Sequence, residues 1–178
     1  MTAPGTDRAL LGRATLSVEM VIRLCEEGDL PALEWMGLYS RDRAIIHGAF
    51  EAQCRGDGLM LLGLTGGFPV GQVWIDFERG KEETVAYLWA VRSFYPLHGI
   101  GIGRHLMTAA EALLRERGIH RAELGVERSN EAALRFYERL GWRVAGELTE
   151  TNRVTAADGT LVEETLDQWL MAKDLGKA

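Results

Sequence analysis

"YPLHGIGIGRHLM", residues 95–107, sets three glycines at alternate positions (Gly99, Gly101 and Gly103) ahead of an apolar run flecked with basic residues. A glycine turn that opens a helix leaves the first-turn amides unpaired and points the positive end of the helix dipole at the turn, which suits an anion. Glycine also lets the backbone approach a bulky phosphate with no Cβ in the way. The same stretch reads equally well as a flexible turn before an ordinary helix. Two nucleotide fingerprints fail on it. Counting GxGxxG from Gly99 and Gly101 puts the third glycine at Arg104, and counting from Gly101 and Gly103 puts it at Leu106. No Gly-Lys-Ser/Thr follows either, so it is not a P-loop.

Working outward, "ETVAYLWAV" before the glycines is a nearly unbroken apolar run, as for a central strand covered on both faces. After them, Leu106, Ala110, Leu113, Leu114 and Arg117 mark an amphipathic helix stopped by Gly118, and "RAELGV" reads as a strand. "SNEAALRFYERLG" is a helix with Ser129 or Asn130 as cap, Glu131 in the first turn and Gly141 as stop. Asn130 and Tyr137 are seven residues apart. At about 3.6 residues per turn they fall on one stripe of this helix. A polar cap and a phenol can therefore face one ligand.

The remaining segments complete a mixed layout. "VEMVIRLC" is a short strand, and "EEGDLPALEWMG" a helix with Asp29 as cap and Pro31 in its first turn. Ile45, Ile46, Ala49 and Phe50 recur at helical spacing over residues 42–54, before the breaker "RGDG". "LMLLGLT" and "PVGQVWIDFE" flank "GGF" as a hairpin, and "WRVAGEL" and "ETLDQWLMAKDL" close the chain as strands around the turn "AADG". This is an α/β (α+β) domain over residues 17–178, with a mainly antiparallel sheet, behind a loose leader over residues 1–16.

Bulk properties exclude several functions. A chain of 178 residues, 47% hydrophobic and 26% charged, supports a packed core rather than disorder. A net charge of −6 without a basic block argues against nucleic-acid binding. Cys25 and Cys54 lack metal-type spacing and read as free thiols, and the four histidines form no HExxH pair, so no metal is expected. With no long apolar run and no apolar signal core at the start, no membrane association and a cytoplasmic location are expected.

Taken together, "LWAV", "HGIGIGRHLM" and "VERSNEAALRFYERLGW" resemble, in order and spacing, the motifs of the GCN5-related N-acetyltransferase (GNAT) family. The resemblance runs from about residue 20 to 175 and is sharpest from 84 to 142. It implies a sheet of about six to seven strands flanked by about four helices, acetyl-CoA as cosubstrate and a primary amine, small molecule or peptide, as acceptor. A homodimer is compatible with it. It implies main-chain pairing of the pantetheine arm near Val91. Pyrophosphate contacts would come from His98, Gly99, Ile100, Gly101, Ile102, Gly103 and Arg104, and Asn130 would fix the pantetheine end. Tyr137 would be the acid that protonates the departing thiolate.

The chain departs from the family pattern in three places. His98 stands where Gln or Arg is usual, and the loop from Val91 to His98 is longer than common. The motif anchors on Gly101 and Gly103, or on Gly99 and Gly101 with Arg104 in the usual Leu position. Where the family often carries a carboxylate, at the start of the central strand, this chain has Val85. Strand alternation places Tyr87, Trp89 and Val91 on the face of Val85. Tyr87 organising a water relay, Glu83, Asp76 or an already neutral amine thus remain for the base. Glu34, Trp35, Tyr39, Trp74, Asp76 and Phe77 are the expected acceptor surface, since carboxylates beside aromatic faces suit a cationic amine. A non-catalytic acyl-CoA-binding sensor or regulatory domain is the rival reading, and transfer to a hydroxyl or of a longer acyl chain a further one.

Overall fold

The computed structural model describes residues 17–80, 83–155 and 161–176. The leader at residues 1–16 and the turn "AADG" at residues 156–159 lie outside the described residues. The strands are β1 (Val21–Leu24), β2 (Gly58–Thr65), β3 (Phe68–Asp76), β4 (Val85–Ser93), β5 (Arg121–Glu127), β6 (Arg143–Thr155) and β7 (Leu161–Asp174). The α-helices are α1 (Arg43–Arg55), α2 (Ile102–Glu116) and α3 (Glu131–Arg139), and a 3₁₀ helix runs over Glu27–Glu34. The strands form one sheet in the order β1-β2-β3-β4-β5-β7-β6. Among the described strands only β4 and β5 pair in parallel, because α2 carries the chain across one face between them.

Local chemistry explains most boundaries. Helix α1 stops at Gly56, whose φ of 89° is left-handed. Asp29 is not the helix cap expected from the sequence, and its segment is 3₁₀ rather than α. Glu26 holds the cap position, and Asp29, inside the first turn, accepts the Glu26 N–H at 2.8 Å. Both Asp29 oxygens also receive the Arg23 guanidinium, at 2.7 and 2.8 Å, and that pairing holds the carboxyl below its ordinary pKa. Pro31 inside the segment lacks the N–H that an α ladder needs.

Both sheet faces are packed. Helix α2 buries Ile102, Leu106, Met107, Ala110 and Leu114 on one face, against residues such as Val73, Leu88 and Leu124. Each of the Ile, Leu and Met side chains contributes about 1.5–3 kcal/mol over its exposed state. Gly71 makes this contact possible, since a Cβ there would lie 2.6 Å from both Ile102 Cγ2 and Leu106 Cδ1. On the other face Ile46 of α1 and Leu30 and Leu33 of the 3₁₀ helix cover Met60, Leu62 and Trp74. Buried Glu111 of α2 accepts from Lys173 Nζ of β7 at 2.7 and 2.8 Å and from Trp142 Nε1 at 3.1 Å, tying the helix to the second hairpin.

Strand β4 differs from a central strand covered throughout. Val85–Leu88 are buried, whereas Trp89–Ser93 are half-buried. The cause is a split in the sheet: β4 and β5 pair only at Val85↔Arg121, Ala86↔Ala122 and Tyr87↔Glu123, then part. Beside the split, β4 bulges. Ala90 has φ 47°, and the register with β3 slips between Trp74↔Trp89 and Gln72↔Arg92. The extra residue reverses the alternation, so Trp89 packs on the α1 side and Val91 on the α2 side. The expectation that Tyr87, Trp89 and Val91 share one face therefore fails at Ala90.

Candidate active site

The glycines of the opening stretch do different jobs. Gly99 and Gly101 are left-handed, with φ 85° and 97°, conformations that strain any residue with a Cβ. Gly101 caps α2, and no side chain satisfies the helix start, so the first-turn amides from Ile102 to Arg104 face the loop. Gly103 lies inside the helix and serves packing, since a Cβ there would meet Phe136 Cζ of α3 at 3.3 Å. The additional loop length is taken up by the 3₁₀ turn Tyr95–Leu97. The His98 ring donates from Nε2 to the Ser93 carbonyl at 2.8 Å, which fastens the loop to the end of β4. Direct donation to a phosphate is then left to Nδ1, which carries a proton in the imidazolium form.

These elements border a cleft of ≈ 890 Å³ lined by Val91, His98, Gly99, Gly101, Gly103, Arg104, Phe136 and Tyr137, among others. Arg92, Arg104 and Arg139 also line it, and none of its lining residues is acidic. In a chain of net charge −6, that concentration of cationic groups favours a phosphate-bearing ligand. A second space of ≈ 590 Å³, in the split between β4 and β5, adjoins it and shares Val91, Arg92, Ala133 and Tyr137 with it. Tyr87, Asn130, Gly125, Arg79, Glu150 and Gln168 line this half. A long ligand with an anionic end and a thin arm fits such a shape.

Asn130 caps α3 as expected: its Oδ1 accepts the Ala133 N–H at 3.0 Å, so its Nδ2 end is the part left for a ligand. Tyr137, on the same stripe of α3, is 7% exposed. Burial, reinforced by nearby Tyr87, pushes its phenol well above the ordinary value, so it stays protonated. Burial likewise raises Tyr87, against the opposing influence of the Arg79 guanidinium, which lies 3.8 Å over its ring. At the apex of the split, Tyr87 Oη and Gln168 Oε1 come together over Gly125. A Cβ on Gly125 would lie 2.8 Å from the first and 2.1 Å from the second.

Of the residues singled out in the sequence, Tyr137, Tyr87, Val91, Asn130, His98, Gly99, Gly101, Ile102, Gly103 and Arg104 all border the cleft. Ile100 turns its side chain away and is 58% exposed, so it can offer only main chain. Glu83 is exposed in the turn before β4 and is not brought to the cleft. Asp76 is committed to that turn, accepting the N–H groups of Glu78 and Arg79 at 2.9 and 3.0 Å. None of Glu34, Trp35, Tyr39, Trp74, Asp76 and Phe77 lines either half. Trp74 is core, Trp35 packs edge-on to Tyr39 and Phe94, and Glu34 pairs with Arg43 at 2.6 Å. That half of the cleft is lined instead by Arg79, Glu150 and Gln168. Only Gly125, a glycine inside a strand, signalled a close approach there.

Known structures share this fold. The Salmonella typhimurium protein yncA, solved with its cofactor acetyl-CoA, superposes with a TM-score of 0.69 at 20% identity, covering 90% of this chain and 96% of that one. A ribosomal-protein-alanine N-acetyltransferase from Brucella melitensis gives 0.69 at 24% identity, covering 86% and 99%. At such identities the likeness is one of fold. The family model "Acetyltransferase (GNAT) family" matches residues 22–142, and the chain belongs to that family. A mycothiol acetyltransferase from Brachybacterium faecium is 35% identical over 88 residues, 49% of this chain. The match spans 27% of that relative's length. Among the described residues no helix is long and apolar enough to cross a membrane, and no group of three or more His, Cys, Asp or Glu could hold a metal ion.

Proposed function

We propose that the chain is an N-acetyltransferase that moves an acetyl group from acetyl-CoA to a primary amine by direct attack while both are bound. One observation carries this reading: the glycine- and arginine-lined space at the start of α2 and the space in the β4–β5 split share Val91, Arg92, Ala133 and the buried phenol of Tyr137. The uncapped amides of Ile102–Arg104, with Arg104 and Arg139, suit the pyrophosphate end. Main chain near Val91, freed from β5 by the split, suits the pantetheine arm as an added strand, with Asn130 at its end. Bound acetyl-CoA supplies a thioester, an activated acyl group with a thiolate leaving group.

The residues of this chain supply the rest. Tyr137 holds a proton beside the leaving position throughout the working pH range. The desolvation that raises its pKa also raises the basicity of a thiolate formed there, so donation remains matched. The attacking amine must be neutral, and neither Val85 nor Glu83 can accept its proton in the cleft. Tyr87 lies at the apex, where it can order a water that relays that proton onward. A domain that only sensed acyl-CoA would have no need of a buried acid at Tyr137.

The test is thiol release from acetyl-CoA across a panel of primary amines, with thermal stability measured alongside. Acetyl-CoA is expected to raise the melting temperature and at least one amine to accelerate thiol release. No thermal shift at millimolar acetyl-CoA rejects the cofactor assignment. A shift without amine-dependent thiol release favours the sensor.

A further inference from the structure

Resting on the acetyl-transfer reading, we infer that the second hairpin carries the seat for the acceptor amine. Glu150 of β6 and Gln168 of β7 receive the N–H groups of a primary amine borne on an apolar body. In the antiparallel register Glu150 opposes Leu166 and Gln168 opposes Leu148, so these four side chains share one sheet face. Glu150, Leu166 and Gln168 all line the split half of the cleft.

Two observations make this a seat. Gln168 is 9% exposed, and its Oε1 is buried without a hydrogen-bond partner among the described residues. A buried acceptor with no donor is costly in a native protein unless a ligand or water supplies one. This one lies at the apex, beside Tyr87 Oη and over Gly125, where the arriving nitrogen must come. The second observation is Glu150, whose side chain is 19% exposed and paired with Arg79, itself stacked on Tyr87. Arg79 comes from the exposed β3–β4 turn and can withdraw into solvent, leaving its place to an incoming ammonium.

The chemistry follows from the donor count. A carboxylate and an amide oxygen are acceptors, and a primary ammonium brings three donors. Glu150 takes one proton from the ammonium, and the neutral amine keeps a hydrogen bond to Gln168 Oε1, which never changes charge. The nitrogen lone pair then forms the bond to the acetyl carbon as the carbon–sulfur bond breaks and the Tyr137 proton passes to sulfur. One of the two protons then on the acylated nitrogen leaves through water to the Tyr137 phenolate, the other stays on the amide, and Glu150 gives its own proton to solvent. The charged lining is balanced, Arg79 and Arg92 against Glu127 and Glu150, while Ile45, Trp89 and Leu166 are apolar walls. One ammonium on an apolar or aromatic body fits this lining better than a polycation.

The experiment compares phenethylamine with spermidine in wild type, Glu150→Gln, Gln168→Leu and Arg79→Gln, with acetyl-CoA affinity measured for each. Wild type is expected to prefer phenethylamine in kcat/KM. Glu150→Gln and Gln168→Leu should raise its KM roughly tenfold or more, the order one hydrogen bond to a charged group is worth. Acetyl-CoA affinity should stay within about twofold, since neither residue lines the phosphate half. Arg79→Gln, at an exposed turn, should lower the KM by removing the competitor for Glu150. Unchanged KM in all three variants, or a preference for spermidine, overturns the seat while acetyl transfer stands. Failure of wild type to acetylate any amine overturns acetyl transfer itself, and the seat with it.

Discussion

Phe136 of α3 rests on Gly103 of α2, so near that a Cβ at Gly103 would lie 3.3 Å from its Cζ. This contact sets the distance between the two helices that wall the phosphate half of the cleft. Gly103 sits within a helix, where alanine gains up to about 1 kcal/mol over glycine. Gly103→Ala should therefore be close to neutral, the helix gain offsetting the tight contact. Gly103→Leu should cost about 1–3 kcal/mol by overpacking and weaken acetyl-CoA binding as α3 is displaced. Denaturant unfolding of both variants, with acetyl-CoA titrations, checks the pair. Equal stability of the two would mean that Phe136 yields freely.

Gly101 tests the loop differently, because its constraint is conformational and electrostatic. At φ 97° a side chain is strained, and a carboxylate there would stand at the uncapped start of α2, where an anion is expected to bind. Gly101→Glu should abolish measurable acetyl-CoA binding by calorimetry while far-UV dichroism stays native. Binding at wild-type strength would remove the loop as the pyrophosphate site.

Tyr137→Phe should lower kcat at least about tenfold, the low end of a general-acid contribution, with acetyl-CoA affinity little changed. The sign of its pH dependence is fixed by burial. Its folded-state pKa is raised, so the phenol stays protonated where a solvated tyrosine would begin to ionise. The rate should show no alkaline loss from Tyr137 up to about pH 10, and stability should fall only above that, as the unfolded chain ionises first. A kcat equal to wild type in the Phe variant would take away its role as acid.

The motif-bearing half of the site was readable because it depends on short-range features. Gly99, Gly101, the Asn130 cap and the phase of Tyr137 on α3 are each set within one turn or one helix. The bulge beside the split was not readable, because nothing in "LWAVRS" marks which residue takes a left-handed conformation. That single slip misplaced Val91 relative to Trp89. That the expected acceptor surface does not line the cleft was hidden for a related reason. The expected carboxylates had local partners, Arg43 for Glu34 and the turn amides for Asp76, while Glu150 and Gln168 reach the cleft only through long-range strand pairing.

The same long-range pairing concentrates stability at Glu111. Its carboxylate, buried, accepts from Lys173 and Trp142, and Lys173 also donates to the Leu140 carbonyl at 2.6 Å. Glu111→Ala would leave the Lys173 ammonium largely enclosed without its counter-charge and should destabilise the fold by about 3–5 kcal/mol. The double variant Glu111→Leu with Lys173→Met should recover much of that loss, because an apolar pair replaces a buried ionic one. Urea unfolding of the single and double variants measures both. A double variant no better than the single one would place the stability in the Leu140 and Trp142 hydrogen bonds instead.

The two cysteines should behave as differently as their surroundings. Cys54 is exposed on α1, whereas Cys25 is 3% exposed, and burial pushes its thiol up from 9.0 to about 12. The thiolate is the reactive form, so at pH 8 the native protein should titrate one thiol rapidly with DTNB and the second only on unfolding. Linkage gives a further sign. The unfolded chain loses the Cys25 proton near pH 9 and the folded chain only near pH 12, so above pH 9 the unfolded state binds fewer protons and stability falls as pH rises. Replacing Cys25 by alanine removes this contribution, and the slope of stability between pH 9 and 11 should flatten relative to wild type. Two thiols titrating at equal rates in native buffer, or an unchanged slope in the variant, would show that the 3₁₀ helix over Cys25 opens readily and leaves the thiol in water.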